Sequence, residues 1–129
     1  MAIGQAVGAI EGVPGESETL RGINGNPLSA SVDITISPTV AAAQQRHAEI
    51  VATFAGIAPL TLARHYGDEA GLYGQPAALS ESQVILHWRD RNAVADVTVY
   101  DDSGSVSQQG MTTALYTIAD LFSARVAAA

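Results

Sequence analysis

The residues best suited to chemistry lie together in one short segment, residues 64–69. Its sequence, RHYGDE, contains a cation, an imidazole, a phenol and two carboxylates. Such a set serves general acid–base catalysis when a cleft holds it and shifts its pKa values. A solvated loop of mixed charge has the same composition. A small enzyme or ligand-binding domain is therefore one hypothesis, with a pocket lined by His65, Tyr66, Asp68, Glu69 and His87.

The histidines prompt the separate hypothesis of a metal site. Such a site needs two or three imidazoles to converge with a carboxylate such as Asp68 or Glu69. The spacing of His47, His65 and His87 places no two of them together on one turn of a helix. We therefore expect packed or surface histidines, and the sequence predicts neither a metal nor a cofactor.

Two polar turns carry further candidates. Residues 101–105 (DDSGS) contain acids and a glycine, as a calcium loop does, but lack the fixed acid offsets and the closing glutamate of an EF-hand. They are expected to form a simple turn. Residues 89–92 follow Trp88, and tryptophan and arginine are favoured at interface hot spots. The turn is thus a candidate partner contact; the alternative is a solvated turn with Trp88 packed under the C-terminal helix.

The composition argues against several classes of protein. The six cations are all arginines, and 13 carboxylates leave a net charge of −7. This excess of negative charge disfavours binding to nucleic acids or to anionic membranes, because proteins bind both through positively charged side chains. The absence of cysteine excludes a disulfide framework, a thiol nucleophile and a zinc–thiolate site. Phosphate loops, nucleophile elbows, zinc-protease helices and dinucleotide fingerprints are absent from the sequence.

The hydropathy pattern bears on location. No apolar run approaches the roughly 20 residues of a membrane span. The first ten residues are mildly apolar but contain no positive charge, so we expect no secretory signal. We therefore expect the protein in a virion or in the cytoplasm.

Periodicity predicts the elements of the first half of the chain. Alternation over residues 31–37 indicates a half-buried strand. A helix over 38–55 follows, with Ser37 as its N-cap and Pro38 at its first position. Residues 57–82 contain several glycines and are predicted to be a long loop, with a short helix or a strand over residues 59–66 as the open alternative.

The second half predicts a core-building unit. Residues 83–88 and 93–100 form a hairpin in this interpretation, and a short third strand over 105–108 follows. A helix over 110–126 ends the chain, with Tyr116, Asp120 and Ser123 facing outward. Its buried stripe is predicted to consist of Met111, Leu115, Ile118, Phe122 and Val126.

These elements predict an α+β fold. A small, mainly antiparallel sheet carries two amphipathic helices packed on one face, and residues 31–129 form a single domain. Residues 1–30 are expected to form an extended, glycine-rich N-terminal arm outside that body, with a short β segment near residues 4–10.

The leading functional hypothesis is a non-enzymatic assembly subunit. In this hypothesis the protein is a component of a bacteriophage or similar virion, such as a minor head, decoration or tail protein. It forms a homo-oligomer or joins a larger protein assembly. The expected interface residues are Ile3, Val7, Ile10, Tyr66, Tyr73, Trp88, Arg89 and Arg91. Besides the pocket hypothesis above, a second alternative is an acidic inhibitor that mimics nucleic acid.

Overall fold

The computed structural model of the protein describes residues 15–21, 28–75, 82–101 and 106–128. These residues form one antiparallel sheet in the order β1-β2-β6-β5-β4-β3, together with two helices. The α+β class and the antiparallel sheet are confirmed. The strands are β1 Gly15–Arg21, β2 Leu28–Ile36, β3 Ala58–Leu60, β4 Glu69–Gln75, β5 Ser82–Asp90 and β6 Ala93–Asp101, and the helices are α1 Val40–Thr53 and α2 Gln108–Ala127.

The apolar face of the sheet is continuous across its four middle strands. Val32 of β2 lies opposite Val97 of β6, Val97 lies opposite Leu86 of β5, and Leu86 lies opposite Leu72 of β4. All four side chains are buried in the same core cluster. Helix α2 covers this face, and every residue of its predicted stripe is buried, so the prediction is confirmed.

Helix α1 lies against the opposite face of the sheet. Its His47 ring stacks on His87, whose side chain alternates with those of Leu86 and Trp88 and therefore points away from α2. The expectation that both helices share one face is thereby corrected. The reason is visible in β5, where residues 84–88 form an almost unbroken apolar run that is buried on both faces.

The hairpin turn between β5 and β6 is held by contacts from distant parts of the chain. Arg91 has a φ of 54°, which a two-residue hairpin requires and which costs a non-glycine residue about 1–2 kcal/mol. Its N–H donates to Asp68 Oδ2 at 2.8 Å, and its guanidinium donates to the Val126 carbonyl at 2.7 Å. Asn92 is buried and donates to the Ser37 carbonyl at 2.8 Å.

Both helices begin at a residue other than the predicted one. Thr39, rather than Ser37, is the N-cap of α1, and its hydroxyl accepts from the Ala42 N–H at 3.0 Å. Ser37 is instead tied to the hairpin turn by its backbone. Ser107 is the N-cap of α2, so residues 106–108 do not form the predicted third strand.

The segment predicted to be a long loop contains two strands. Strands β3 and β4 pair antiparallel, and β4 continues the sheet by pairing with β5 along its whole length. The glycines of β4 obscured this pattern. A Cβ at Gly74 would meet the side-chain amide nitrogen of Gln108 at 2.5 Å, so a larger residue there would require the exposed Gln108 side chain to move.

The predicted N-terminal arm is described only in part. Strand β1 pairs with β2 of the same chain from Gly15 to Arg21. Strand β2 begins at Leu28, before the predicted residue 31, and both Leu28 and Ala30 are buried in the core. Residues 1–14 and 22–27 lie outside the described residues, so the arm remains a prediction for those positions.

Candidate functional site

The five residues of the predicted pocket are divided between different surroundings. Tyr66 is buried on the α2 side, where its ring lies against Trp88 and Tyr116. His87 is enclosed on the α1 side, and His65 is exposed. The structure therefore does not bring Tyr66 and His87 to one cavity, because the sheet lies between them.

A buried histidine pair does connect part of the predicted set. The rings of His47 and His87 stack with centroids 4.7 Å apart and planes 13° apart. His47 Nε2 lies 3.3 Å from Glu69 Oε1 at the edge of the cluster. His87 Nδ1 lies 4.0 Å from Asp96 Oδ2, beyond hydrogen-bonding distance. Glu69 and His87 thus share a cluster, with His47 between them.

Three ring nitrogens of this pair have no hydrogen-bond partner among the described residues. They are His47 Nδ1 and both nitrogens of His87, whose side chain is 0% exposed. A buried polar group without a partner destabilises the fold and disfavours any added charge. The arrangement therefore requires neutral imidazoles.

Burial controls the pKa values in this cluster. It lowers the pKa of His47, against an opposing effect of the Glu69 carboxylate. Burial, assisted by the neighbouring His47 and Arg46, lowers the pKa of His87 to about 3. Burial raises the pKa of Asp96 to about 6, assisted by the charge of Asp33. At pH 7 both rings are neutral, and His87 is a very weak base without access to solvent, so the cluster is built for packing.

The acid dependence of stability should reveal this pair. Below pH 6.5 His87 is protonated in the unfolded chain, whereas in the folded protein it stays neutral down to about pH 3. The free energy of unfolding therefore decreases as the pH falls through this range. Asp96 acts in the opposite sense between pH 6 and 3.8, because its folded form binds the proton first. Replacing His87 by phenylalanine should therefore raise stability relative to the wild type by about 1.4 kcal/mol for each pH unit below 6.5. Urea unfolding at pH 7, 6 and 5 measures this difference.

A matched control separates burial from the loss of an imidazole. His65 is exposed, so His65→Phe should follow the wild type within about 0.5 kcal/mol at each pH. A His87→Phe difference that stays constant from pH 7 to 5 would contradict the enclosed, neutral ring.

An arginine–carboxylate cluster adjoins the histidines. Arg89 is buried, and its Nε donates to Glu69 Oε2 at 2.6 Å while Nη1 donates to Asp68 Oδ2 at 3.1 Å. The second carboxylate also accepts the Arg91 N–H. These charges are therefore satisfied within the chain, and they attach the start of β4 to the hairpin turn.

Residues 63–66, which precede the arginine–carboxylate cluster, are held on α2 by side-chain contacts. The Tyr66 hydroxyl donates to Asp120 Oδ1 at 2.7 Å, and Arg64 pairs with the other carboxylate oxygen of Asp120. Burial, together with the hydrogen bond to Asp120, raises the pKa of Tyr66. Tyr116, predicted to face outward, is buried, and its hydroxyl accepts the Ala63 N–H at 3.1 Å. This correction follows from the loop, which covers a side of α2 that periodicity alone assigns to solvent.

The predicted interface residues are placed as follows. Trp88 is buried in the core beneath α2, which is the alternative left open by the sequence. Tyr73 is half-buried, with its ring centroid 4.7 Å from that of Phe54. Tyr66, Arg89 and Arg91 make the contacts given above. Ile3, Val7 and Ile10 lie outside the described residues.

One open groove was missed by the sequence interpretation. It lies between the edge strand β3 and the first turns of α2 and has a volume of about 360 Å³. Leu60 and Leu72 line its sheet side, and Gln108, Gln109, Thr112 and Thr113 line its helix side. The short neutral polar run that begins α2 is the only sequence signal for it.

In the described part of the chain, no three histidine, aspartate or glutamate side chains are grouped so as to hold a metal ion. Neither described helix has the length and apolar character needed to cross a membrane. Compared with known proteins, the chain matches no protein-family model, no curated protein and no solved structure.

Proposed function

We propose that this chain is a non-enzymatic assembly subunit that associates with copies of itself. The finer proposal is a component of a bacteriophage or similar virion, such as a minor head, decoration or tail protein. The acidic, lysine-free, alanine-rich composition of the chain is the reason for proposing a virion component. The contacts that bind the predicted pocket residues to other parts of the fold are the reason for proposing a function without catalysis.

The observation that carries the proposal is the position of β1. Residues 1–14 run directly into this strand, which is the outermost strand at one side of the sheet. Among the described residues no strand pairs with the outer side of β1, so the chain enters the described sheet at an edge strand. The main-chain N–H and C=O groups of an edge strand can pair with another molecule. Association through extended segments and sheet edges obtains affinity from backbone hydrogen bonds and specificity from a few inserted side chains.

The placement of the reactive residues supports a binding role over an enzymatic one. His87 is fully enclosed, and Asp68, Glu69 and Tyr66 are bound to other side chains of the fold. A general acid or base must reach the atom whose proton it moves. These groups instead join loops to the sheet and to α2.

The same pairing weighs against an acidic mimic of nucleic acid. Such an inhibitor needs carboxylates that are free to face a basic partner. Asp68 and Glu69 pair with Arg89, and Asp120 pairs with Arg64. Several negative charges are therefore matched by arginines of the same chain.

Charging the N-terminal segment should abolish self-association. We expect the wild type to show a multiple of the 13.3 kDa chain mass by light scattering coupled to size exclusion. The double variant Ile3→Asp, Val7→Asp should show a mass of 13.3 kDa with an unchanged far-UV circular dichroism spectrum. The physical reason is that an ionised carboxylate resists transfer into an apolar contact.

The control adds the same charge elsewhere. Ala41 and Gln44 are exposed near the start of α1, where aspartate is compatible with the helix dipole. The variant Ala41→Asp, Gln44→Asp should therefore keep the wild-type mass. A wild type that remains at 13.3 kDa at every concentration would contradict the proposed function.

A further inference from the structure

The groove between β3 and α2 is uncharged in a strongly acidic protein. Its lining combines leucines with threonine, glutamine and tyrosine side chains, and none of these carries a charge. The chain as a whole has a net charge of −7. A groove of about 360 Å³ lies within the range of small-ligand pockets and accommodates about one or two aliphatic side chains.

The first ten residues match this groove in charge and chemistry. Their sequence, MAIGQAVGAI, contains no charged side chain, and the first charge is Glu11. In an extended chain Ile3 and Val7 point to the same side, about 13 Å apart. An apolar side chain gains free energy by leaving water to contact the two leucines of this mixed lining.

A chain cannot readily place this segment in its own groove. Strands β1 and β3 are at opposite edges of the sheet, five strand spacings or about 24 Å apart. The residue pairs that connect neighbouring strands place Leu72 of the groove in line with Glu18 of β1, at right angles to the strands. Gly15 is three residues from Glu18, which separates it from Leu72 by about 10 Å more along the strand direction. The straight line is thus about 26 Å, whereas the eight residues from Val7 to Gly15 reach at most about 29 Å.

Helix α2 stands on the sheet between those two edges. It packs on β5 and β6, so a chain on that face must pass over a body about 10–12 Å in diameter. That detour exceeds the small margin left by the reach of eight residues. The segment from another molecule has no such limit.

We propose that this groove binds residues 3–7 of a second copy of the chain, with Ile3 and Val7 inserted beside Leu60 and Leu72. This inference rests on the assembly function proposed above and identifies its acceptor surface. Pro59, in the middle of β3, has no N–H to donate, so backbone pairing at this strand is reduced and the inserted side chains supply the specificity of the contact.

The contact predicts the symmetry of the assembly. The donor segment leaves from the β1 edge, and the acceptor groove lies at the β3 edge. Two different surfaces therefore meet, which makes the interface heterologous. Such interfaces produce closed rings when the rotation closes and filaments when it does not.

Disulfide trapping in the full chain tests the contact. The natural chain has no cysteine, so each introduced thiol is unique. Ile3→Cys protein mixed with Thr113→Cys protein should form a covalent dimer on mild oxidation, because a disulfide requires Cα atoms about 4.4–6.8 Å apart. Thr53→Cys replaces Thr113→Cys in the control mixture. Both threonines are exposed on helices and bond back to the preceding turn, but Thr53 is on α1, across the sheet from the groove.

Each outcome decides a different part of the inference. Dimers from the 3–113 mixture in large excess over the 3–53 mixture support the groove. An assembled mass without preferential 3–113 dimers overturns the groove and leaves the proposed function standing. A monomeric mass with no cross-link overturns both. The double variant Ile3→Cys, Thr113→Cys completes the test, because an intrachain bond in a monomer would overturn the requirement for a second copy.

Discussion

Replacing Ile118 with aspartate is expected to abolish the cooperative folding of the protein. Ile118 is only 6% exposed and lies in the buried stripe of α2 over the central strands. The change loses about 2–3 kcal/mol of apolar burial and adds several kcal/mol for a buried carboxylate without a partner. A domain of this size has a total stability of only about 5–15 kcal/mol. Thermal unfolding followed by circular dichroism should therefore show no transition.

The control for this variant lies in the same helix. Leu121 is 62% exposed, so Leu121→Asp should change stability by no more than about 0.5 kcal/mol. Both variants place an aspartate in the same helix, so the comparison holds the added charge constant and varies mainly the burial of the site. If Ile118→Asp kept a normal transition, or if Leu121→Asp lost it, the orientation of α2 on the sheet would be wrong.

The orientation of α2 was accessible from the sequence because it depends on a local period. Four apolar residues recur at helical spacing and therefore lie on one face of the helix, which is the face that packs on the sheet. They are Met111, Leu115, Ile118 and Phe122. The hairpin of β5 and β6 was accessible for a similar reason. Two apolar runs separated by a short polar segment have few alternatives to antiparallel pairing.

The elements that were missed depend on contacts distant in sequence. Strand β4 contains Gly71 and Gly74 and lacks a clear alternation, yet it is held by pairing with β5 on one side and β3 on the other. Tyr116 is buried because Tyr66 and Ala63 contact it from a loop that lies 50 and 53 residues away in sequence. A single sequence contains no periodic signal for such contacts.

The position of α1 was missed because the central strands were interpreted as having one apolar face. The run from Val84 to Trp88 is apolar at nearly every position, and such continuity is typical of strands covered on both sides. His87 is the one polar residue of this run. Its ring is packed against His47 and functions there as a flat, weakly polar core residue.

The helix placement also bears on how the protein can associate. With α1 and α2 on opposite faces of β5 and β6, the sheet is left with its two edges, β1 and β3, at the periphery. Edge strands are the part of a sheet most able to recruit another chain. The proposed donor segment and the proposed groove are at these two edges, so an association that uses both covers only the first turns of α2 and leaves α1 and the rest of α2 uncovered.

Replacing Gly67 with alanine is expected to destabilise the fold by about 3–5 kcal/mol and lower Tm by about 10–20 °C. Gly67 has a φ of +54°, where an alanine costs about 1–2 kcal/mol. Its Cβ would also meet the Arg89 carbonyl oxygen at 2.3 Å, and that oxygen accepts the Asp68 N–H at 2.7 Å. Relief of the clash would move Asp68 and Glu69 away from the buried guanidinium of Arg89, which would lose its charge partners.

The control substitution uses a glycine in open space. A Cβ at Gly56 meets nothing within 4 Å, so Gly56→Ala should be near neutral or slightly stabilising through the unfolded chain. Urea unfolding of both variants at pH 7 measures the difference. Equal stability of the two would mean that residues 67–69 are not clamped to β5, and the arginine–carboxylate cluster would then lose its role in holding the hairpin turn. A large loss confined to Gly67→Ala shows that this short segment positions both the turn and the start of β4.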